Sequence, residues 1–205
     1  ESQQWIERQL AKQVPAEYFL LTFTLPAQFR AMAWRHQLCV YDLMTQCAWE
    51  TVRTFSHNDR QLQGTPGATT VLHTHSRRLD YHPHVHMVVP GAAVSAKQRL
   101  WRTKRCRGKG RYLFSEKALA KVFRAKLLEA MTQAGLALPK AYPEDWVVDC
   151  KAVGGGEKAL VYLGRYLYRG VIREQDILAC ENAQVTFRYR HAKSNRWEYR
   201  TLPGA

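Results

Sequence analysis

The chain is short of acids, has no closely paired cysteines and lacks any long apolar run. Its 205 residues carry 31 Lys and Arg against 17 Asp and Glu, a formal charge of +14. That imbalance disfavours a cationic partner and favours a polyanion such as nucleic acid. Cys39, Cys47, Cys106, Cys150 and Cys180 form no CxxC pair, which argues against a zinc ribbon or finger. Their odd number suits reduced, mostly buried thiols better than a disulfide framework. No stretch approaches the roughly 18 apolar residues of a membrane helix, and no signal-peptide pattern stands at the start. The expected compartment is therefore the cytoplasm. Neither an internal repeat nor a long linker nor a regular βαβ rhythm is present. What remains, with 46% hydrophobic residues, suffices for one domain with a real core. The first residue is Glu1 rather than Met, so residues 1–205 are expected to be one domain of a longer chain.

Hydrophobic periodicity and turn residues divide the chain into alternating helices and strands. Residues 3–13 read as a short amphipathic helix, 18–25 as a buried strand closed by Pro26, and 27–55 as one or two helices. A loop over 61–67 leads to a hairpin of 69–75 and 82–89. Residues 97–111 hold eight Lys or Arg and no acid, so a basic loop is expected, with a short strand at 111–114. Ser115 caps a helix running to about Ala134; a strand follows at 145–151, then a glycine turn into a helix over 157–169. A hairpin of 184–190 and 197–202 ends the chain. The expected fold class is α+β: a mostly antiparallel central sheet flanked by helices.

Five of the eight histidines, His73, His75, His82, His84 and His86, lie within 14 residues, where even scatter would place about half of one. In HPHVHMVV, strand alternation puts His82, His84 and His86 on one face. Two imidazoles at that spacing can converge on one metal ion, with a third ligand from His73 or His75 on the preceding strand. Imidazole suits zinc, manganese, nickel or cobalt better than magnesium.

On a wheel of the 157–169 helix, Leu160, Leu163 and Leu167 form the expected packing stripe, and Tyr162 and Tyr166 fall roughly opposite. A tyrosine is a poor nucleophile unless a cation favours its phenolate or its target is polarised. A histidine-held metal can polarise a phosphoryl oxygen while arginines offset the developing charge. Two phenols on one helix are what two successive transesterifications of a DNA strand require.

With His84-Val-His86 and Tyr162-x-x-x-Tyr166 in view, the sequence resembles the HUH (His-hydrophobic-His) nucleases, specifically the two-tyrosine rolling-circle transposases of bacterial insertion sequences. Rep proteins, relaxases and Helitrons are their relatives. The resemblance runs through YFLLTFTLP (18–26), VLHTH (71–75), HPHVHMVVPG (82–91), WVVDCK (146–151), YLGRYLYR (162–169) and VTFRYR (185–190). It implies an HUH nuclease fold and a transposase that nicks and rejoins single-stranded or hairpin DNA of transposon ends and target. His84 and His86 would be metal ligands, with His73 preferred as the third over His75 or His82. Tyr162 and Tyr166 would form 5′-phosphotyrosine links. Magnesium or manganese is the expected divalent ion, although zinc, nickel or cobalt would also suit the histidines. The cysteine-rich segment usual before the first strand in this group has no counterpart in the sequence.

Several residues are expected to meet the DNA. Trp101, Arg102, Lys104, Arg105, Arg107, Lys109 and Arg111 of the basic run are suited to tracking a phosphate backbone and stacking a base. Arg165 and Arg169 flank the tyrosines, and Lys151 ends a strand where it could hold the scissile phosphate. Arg188, Arg190, Arg196 and Arg200 of the terminal hairpin form a second candidate surface. Two rival readings use the same residues: a DNA-binding module without catalysis, and a histidine-ligated metal hydrolase whose tyrosines only pack.

Overall fold

In a computed structural model, residues 2–106, 112–167, 171–191 and 194–204 are described, Tyr166 by its backbone alone. Arg107, Lys109, Arg111 and Arg169 lie outside the described residues. The chain runs through α1 (Ser2–Leu10), β1 (Tyr18–Thr24), α2 (Arg30–Arg35), α3 (Gln37–Asn58), β2 (Thr65–Pro66), β3 (Thr69–His75) and β4 (Tyr81–Pro90). It continues with β5 (Ala92–Ser95), β6 (Leu100–Thr103), α4 (Glu116–Gln133), β7 (Val148–Ala152), α5 (Glu157–Leu167), β8 (Ile177–Glu181), β9 (Gln184–Arg190) and β10 (Trp197–Pro203). The fold is α+β, and every strand pair among the described residues is antiparallel.

The central sheet has the order β3-β4-β1-β7. Its two faces follow from a side-chain period of two. Phe19, Leu21 and Phe23 of β1, Val85, Met87 and Val89 of β4, and Val148 and Cys150 of β7 point to one side, where α3 and α4 cover them. Phe123 of α4 meets Phe23 with ring centres 4.9 Å apart. Ser115 caps α4 by accepting from the Ala118 amide, and the Glu116 carboxylate accepts from the Cys150 amide at 2.8 Å, which ties α4 to β7.

The opposite face is covered only in part. Tyr18, Val71 and Val88 pack against Ala159, Leu160 and Leu163 of α5. Gly156, at φ +83°, starts that helix against the Tyr18 ring, where a Cβ would come within 2.6 Å of the ring. Helix α1 then lies on the outside of α5 at Gly164, whose missing side chain admits Ile6 and Trp5 and whose carbonyl accepts from the Ser2 hydroxyl.

Two smaller sheets complete the fold, β2-β5-β6 and β10-β9-β8. Arg200 of β10 joins the last sheet to the turn before β4 through Asp80 at 2.7 Å and the Arg78 carbonyl. Asp80 is held below the usual carboxylate range, chiefly by that arginine.

Several expectations need correcting. Leu167 is 42% exposed rather than packed, because it ends α5 beyond the apolar patch that receives Leu160 and Leu163. The basic run is not one loop: Leu100–Thr103 pairs with β5, and no strand occurs over 112–114. The stretch read as a loop at 61–67 contributes the short β2. Of the thiols, Cys47 and Cys150 are buried but Cys180 is exposed. No helix among the described residues is long and apolar enough to cross a membrane.

Candidate metal centre and tyrosine helix

Cross-strand register assembles the histidines. His73 of β3 lies directly opposite His84 of β4, and opposite residues share a face. His86 follows two residues after His84 on that same face. One ligand atom from each of His73, His84 and His86 lies within 4.8 Å of the others. The ring centres of His73 stand 5.3 Å from His84 and 4.6 Å from His86.

The other two histidines face different partners. His82 Nδ1 sits 2.8 Å from an Arg30 Nη, and His75 lies past a break in register with its Nδ1 on the Thr74 hydroxyl. Neither joins the cluster.

Donor chemistry fits a metal. The His84 Nδ1 lies 2.7 Å from the His82 carbonyl, which can only accept, so Nδ1 carries the proton and Nε2 keeps its lone pair. The His86 Nδ1 pairs with the Thr22 hydroxyl at 3.0 Å, again orienting the ring through the nitrogen nearer the backbone. Burial, followed by the field of His84, brings His73 down to about 4. Burial and the neighbouring His84 and His73 bring His86 to about 3. Burial likewise lowers His84. At neutral pH all three rings are uncharged, the state a metal requires.

The register extends this face onto the next two strands. Thr22 pairs with His86 on one side and Asp149 on the other, and Lys151 lies two residues beyond Asp149. Lys151 is well exposed, 4.0 Å from Asp149. Thr22 and Asp149 went unnoticed in the sequence; a lone threonine pair inside the apolar β1 was the available signal.

Helix α5 lies over the same face, at its apolar end. It turns Leu160 and Leu163 inward, leaving Tyr162 38% exposed and Arg165 exposed. Tyr166 stands one turn further along the helix. Tyr162 and Arg165 open onto a cavity of about 380 Å³, walled on its far side by residues of β9 and β10.

The described part of the basic run lies elsewhere, with Leu100–Thr103 on the β2-β5-β6 sheet, and none of Trp101, Arg102, Lys104 or Arg105 lines that cavity. Trp101 and Arg105 are exposed, and Arg102 donates to Gln63 and Gln98. Lys104 departs from expectation. Its ammonium is 2.5 Å from the Asp59 carboxylate and 2.8 Å from the Leu113 carbonyl, so it joins the end of α3 to the segment before α4 instead of facing a phosphate. Arg200 is likewise engaged in holding the terminal sheet.

Known proteins resemble this chain. A family described as "Putative transposase" (Y2_Tnp) matches residues 67–205, which include the histidine strands, α5 and the terminal sheet. "Putative transposase y4qJ" of Sinorhizobium fredii is 32% identical over 213 residues, covering 92% of this chain and 52% of the relative, so the chain spans about half of that protein. Among solved structures, the conjugative relaxase TrwC in complex with oriT DNA, metal-bound, aligns with a TM-score of 0.47 and 18% identity, covering 65% of this chain and 49% of the relaxase. TrwC with a 27-mer DNA comprising its recognition hairpin and cleavage site gives 0.46 and 16%, covering 62% and 49%. On the family match, the chain belongs to the Y2_Tnp family of transposases.

Proposed function

We propose that this domain nicks and rejoins single-stranded or hairpin DNA at transposon ends and target through 5′-phosphotyrosine links, with Tyr162 and Tyr166 as nucleophiles. One observation carries the reading: a ligand atom from each of His73, His84 and His86 lies within 4.8 Å of the others, on the sheet face whose apolar end α5 covers. Family membership agrees with a role in DNA transposition.

In the first step the Tyr162 Oη would attack a backbone phosphorus. The new bond joins phosphorus to Oη, the bond to O3′ breaks, and the phenol proton leaves while the departing O3′ gains one. Bond count and charge are conserved, so rejoining by the reverse attack needs no external energy source. Tyr166 offers the same chemistry for a second strand, one helical turn away.

His73, His84 and His86 would hold one divalent ion, manganese or magnesium in use, which supplies polarisation of the phosphoryl oxygen. Arg165, Arg169 and Lys151 would offset charge on the scissile phosphate. Trp101, Arg102 and Arg105, with Arg107, Lys109 and Arg111, would contact DNA further from the nick.

The test is incubation with a strand from the element's end in Mn²⁺, followed by a denaturing gel. A slow covalent species is expected, absent with a chelator and absent after Y162F/Y166F. Persistence of that species in the double variant would overturn the assignment. Strand hydrolysis without any adduct would point to a hydrolase instead.

A further inference from the structure

The terminal sheet presents an unusual outer face. In β9 and β10, Phe187 and Tyr189 turn inward, 1% and 7% exposed, opposite Arg200 and Glu198. On the other face register sets Arg188 opposite Tyr199 and Arg190 opposite Trp197. Trp197 is 38% exposed and Tyr199 68%. A solvent-facing strand pair ordinarily carries small polar and charged residues. Here large aromatics alternate with arginines.

These arginines are set in place before any ligand arrives. Asp176, its side chain 8% exposed, takes the Nε of Arg173 at 2.7 Å and of Arg188 at 2.9 Å. Holding Arg188 by Nε leaves its outer Nη edge, the one matched to a phosphate. Arg190 donates to the Asn195 carbonyl at 2.6 Å. Both guanidinium carbons lie within 4.7 Å of the Trp197 ring centre. Arg173, Asp176, Arg188, Arg190 and Trp197 line the cavity shared with Tyr162, together with Arg77 and Arg165. Five arginines thus line the cavity beside one carboxylate, which is itself held below the usual range, first by Arg173 and then by Arg188.

We propose that this cavity seats a nucleotide of the single strand beside the nick, its phosphate on Arg188 and Arg190 and its base against the exposed indole of Trp197. Stacking on a side chain requires an unpaired base, because the faces of a paired base are occupied by its neighbours in the duplex. Arginines held by fixed partners bind phosphate with little loss of side-chain freedom. The proposal rests on the nuclease reading for which strand arrives, but the binding site itself needs neither metal nor tyrosine chemistry.

The experiment measures binding of a labelled single-stranded oligonucleotide by fluorescence anisotropy, with EDTA present, across a range of salt. W197A should weaken binding about tenfold, and W197F should restore most of it. R190A should reduce the slope of log K against log salt by about 0.7. Thermal melting of each variant should match wild type, and an abasic strand should bind W197A and wild type alike. Strand addition should quench indole emission in wild type and much less in W197F. Wild-type affinity in W197A, or an abasic strand bound as tightly by wild type as the normal one, would overturn the proposal. Loss of the metal-dependent adduct with this binding pattern intact would instead count against the nuclease reading alone.

Discussion

Phe19, Leu21 and Phe23 alternate along β1 with Leu20, Thr22 and Thr24, so one strand serves two unlike surfaces. The first set is fully buried beneath α3 and α4. The second shares its face with His84, His86, Asp149 and Lys151, and α5 covers only its apolar end. The closed face supplies apolar burial, while the open face leaves room for a ligand beside rigid strands. The half-buried state of the histidines follows from this division: enough burial to keep the rings neutral, enough opening to admit an ion and a strand. Stability and chemistry are therefore separable by residue parity along the same strands.

The largest effect should come from the open face. H84A/H86A should abolish Mn²⁺ binding by calorimetry and the covalent adduct, yet leave neutral-pH melting of the metal-free protein close to wild type. A collapse of the fold in that variant would break the separation. On the closed face, Phe23→Ala should cost about 3–5 kcal/mol in denaturant unfolding, because Phe23 is fully buried against Phe123. Metal binding by the molecules that remain folded should be unaffected.

Acid should act through the open face. An unfolded histidine takes up a proton near 6.5, whereas folded His73 does so at about 4 and His86 at about 3. Between these values the unfolded state binds more protons, so metal-free stability is full above about 6.5 and is lost as pH falls towards 3. For His73 alone the loss is up to roughly 3 kcal/mol. Melting curves from pH 7 to pH 4 should show it, and His73→Asn should flatten them.

Smaller effects sharpen the comparison. Thr22→Val removes the partner of His86 Nδ1 and should lower metal affinity by about ten- to a hundredfold, with little change in melting. Ser115→Ala, at the cap of α4 under the closed face, should cost about 1 kcal/mol of stability and leave metal affinity alone.

Legibility in the sequence followed the range of the interactions. Strands β1, β3 and β4 could be read because alternation is local, and the spacing of His84 and His86 already set both on one face. The pairing of His73 with His84 needed the hairpin register, which the sequence left open: His73 and His75 share a face, and the resemblance to relaxases favoured His73. Strand β5 (AAVS) is too short to show a period, and β8 is exposed along most of its length, so neither carried a signal. Lys104 looked like any other cation in its run; only the fold brings Asp59, 45 positions earlier, to its ammonium. Likewise Asp176 reveals its hold on Arg188 only once β9 is in place. Leu167 satisfied the helical stripe, but periodicity cannot say where the surface beneath a helix ends.

The most direct measurement is mass spectrometry of the protein after reaction with a cleavable single strand and Mn²⁺. The account predicts a peptide bearing Tyr162 or Tyr166 that carries the mass of the strand's 5′-phosphoryl fragment, and its loss when His84 and His86 are replaced. A modified residue outside α5, or cleavage with every tyrosine unmodified, would contradict it.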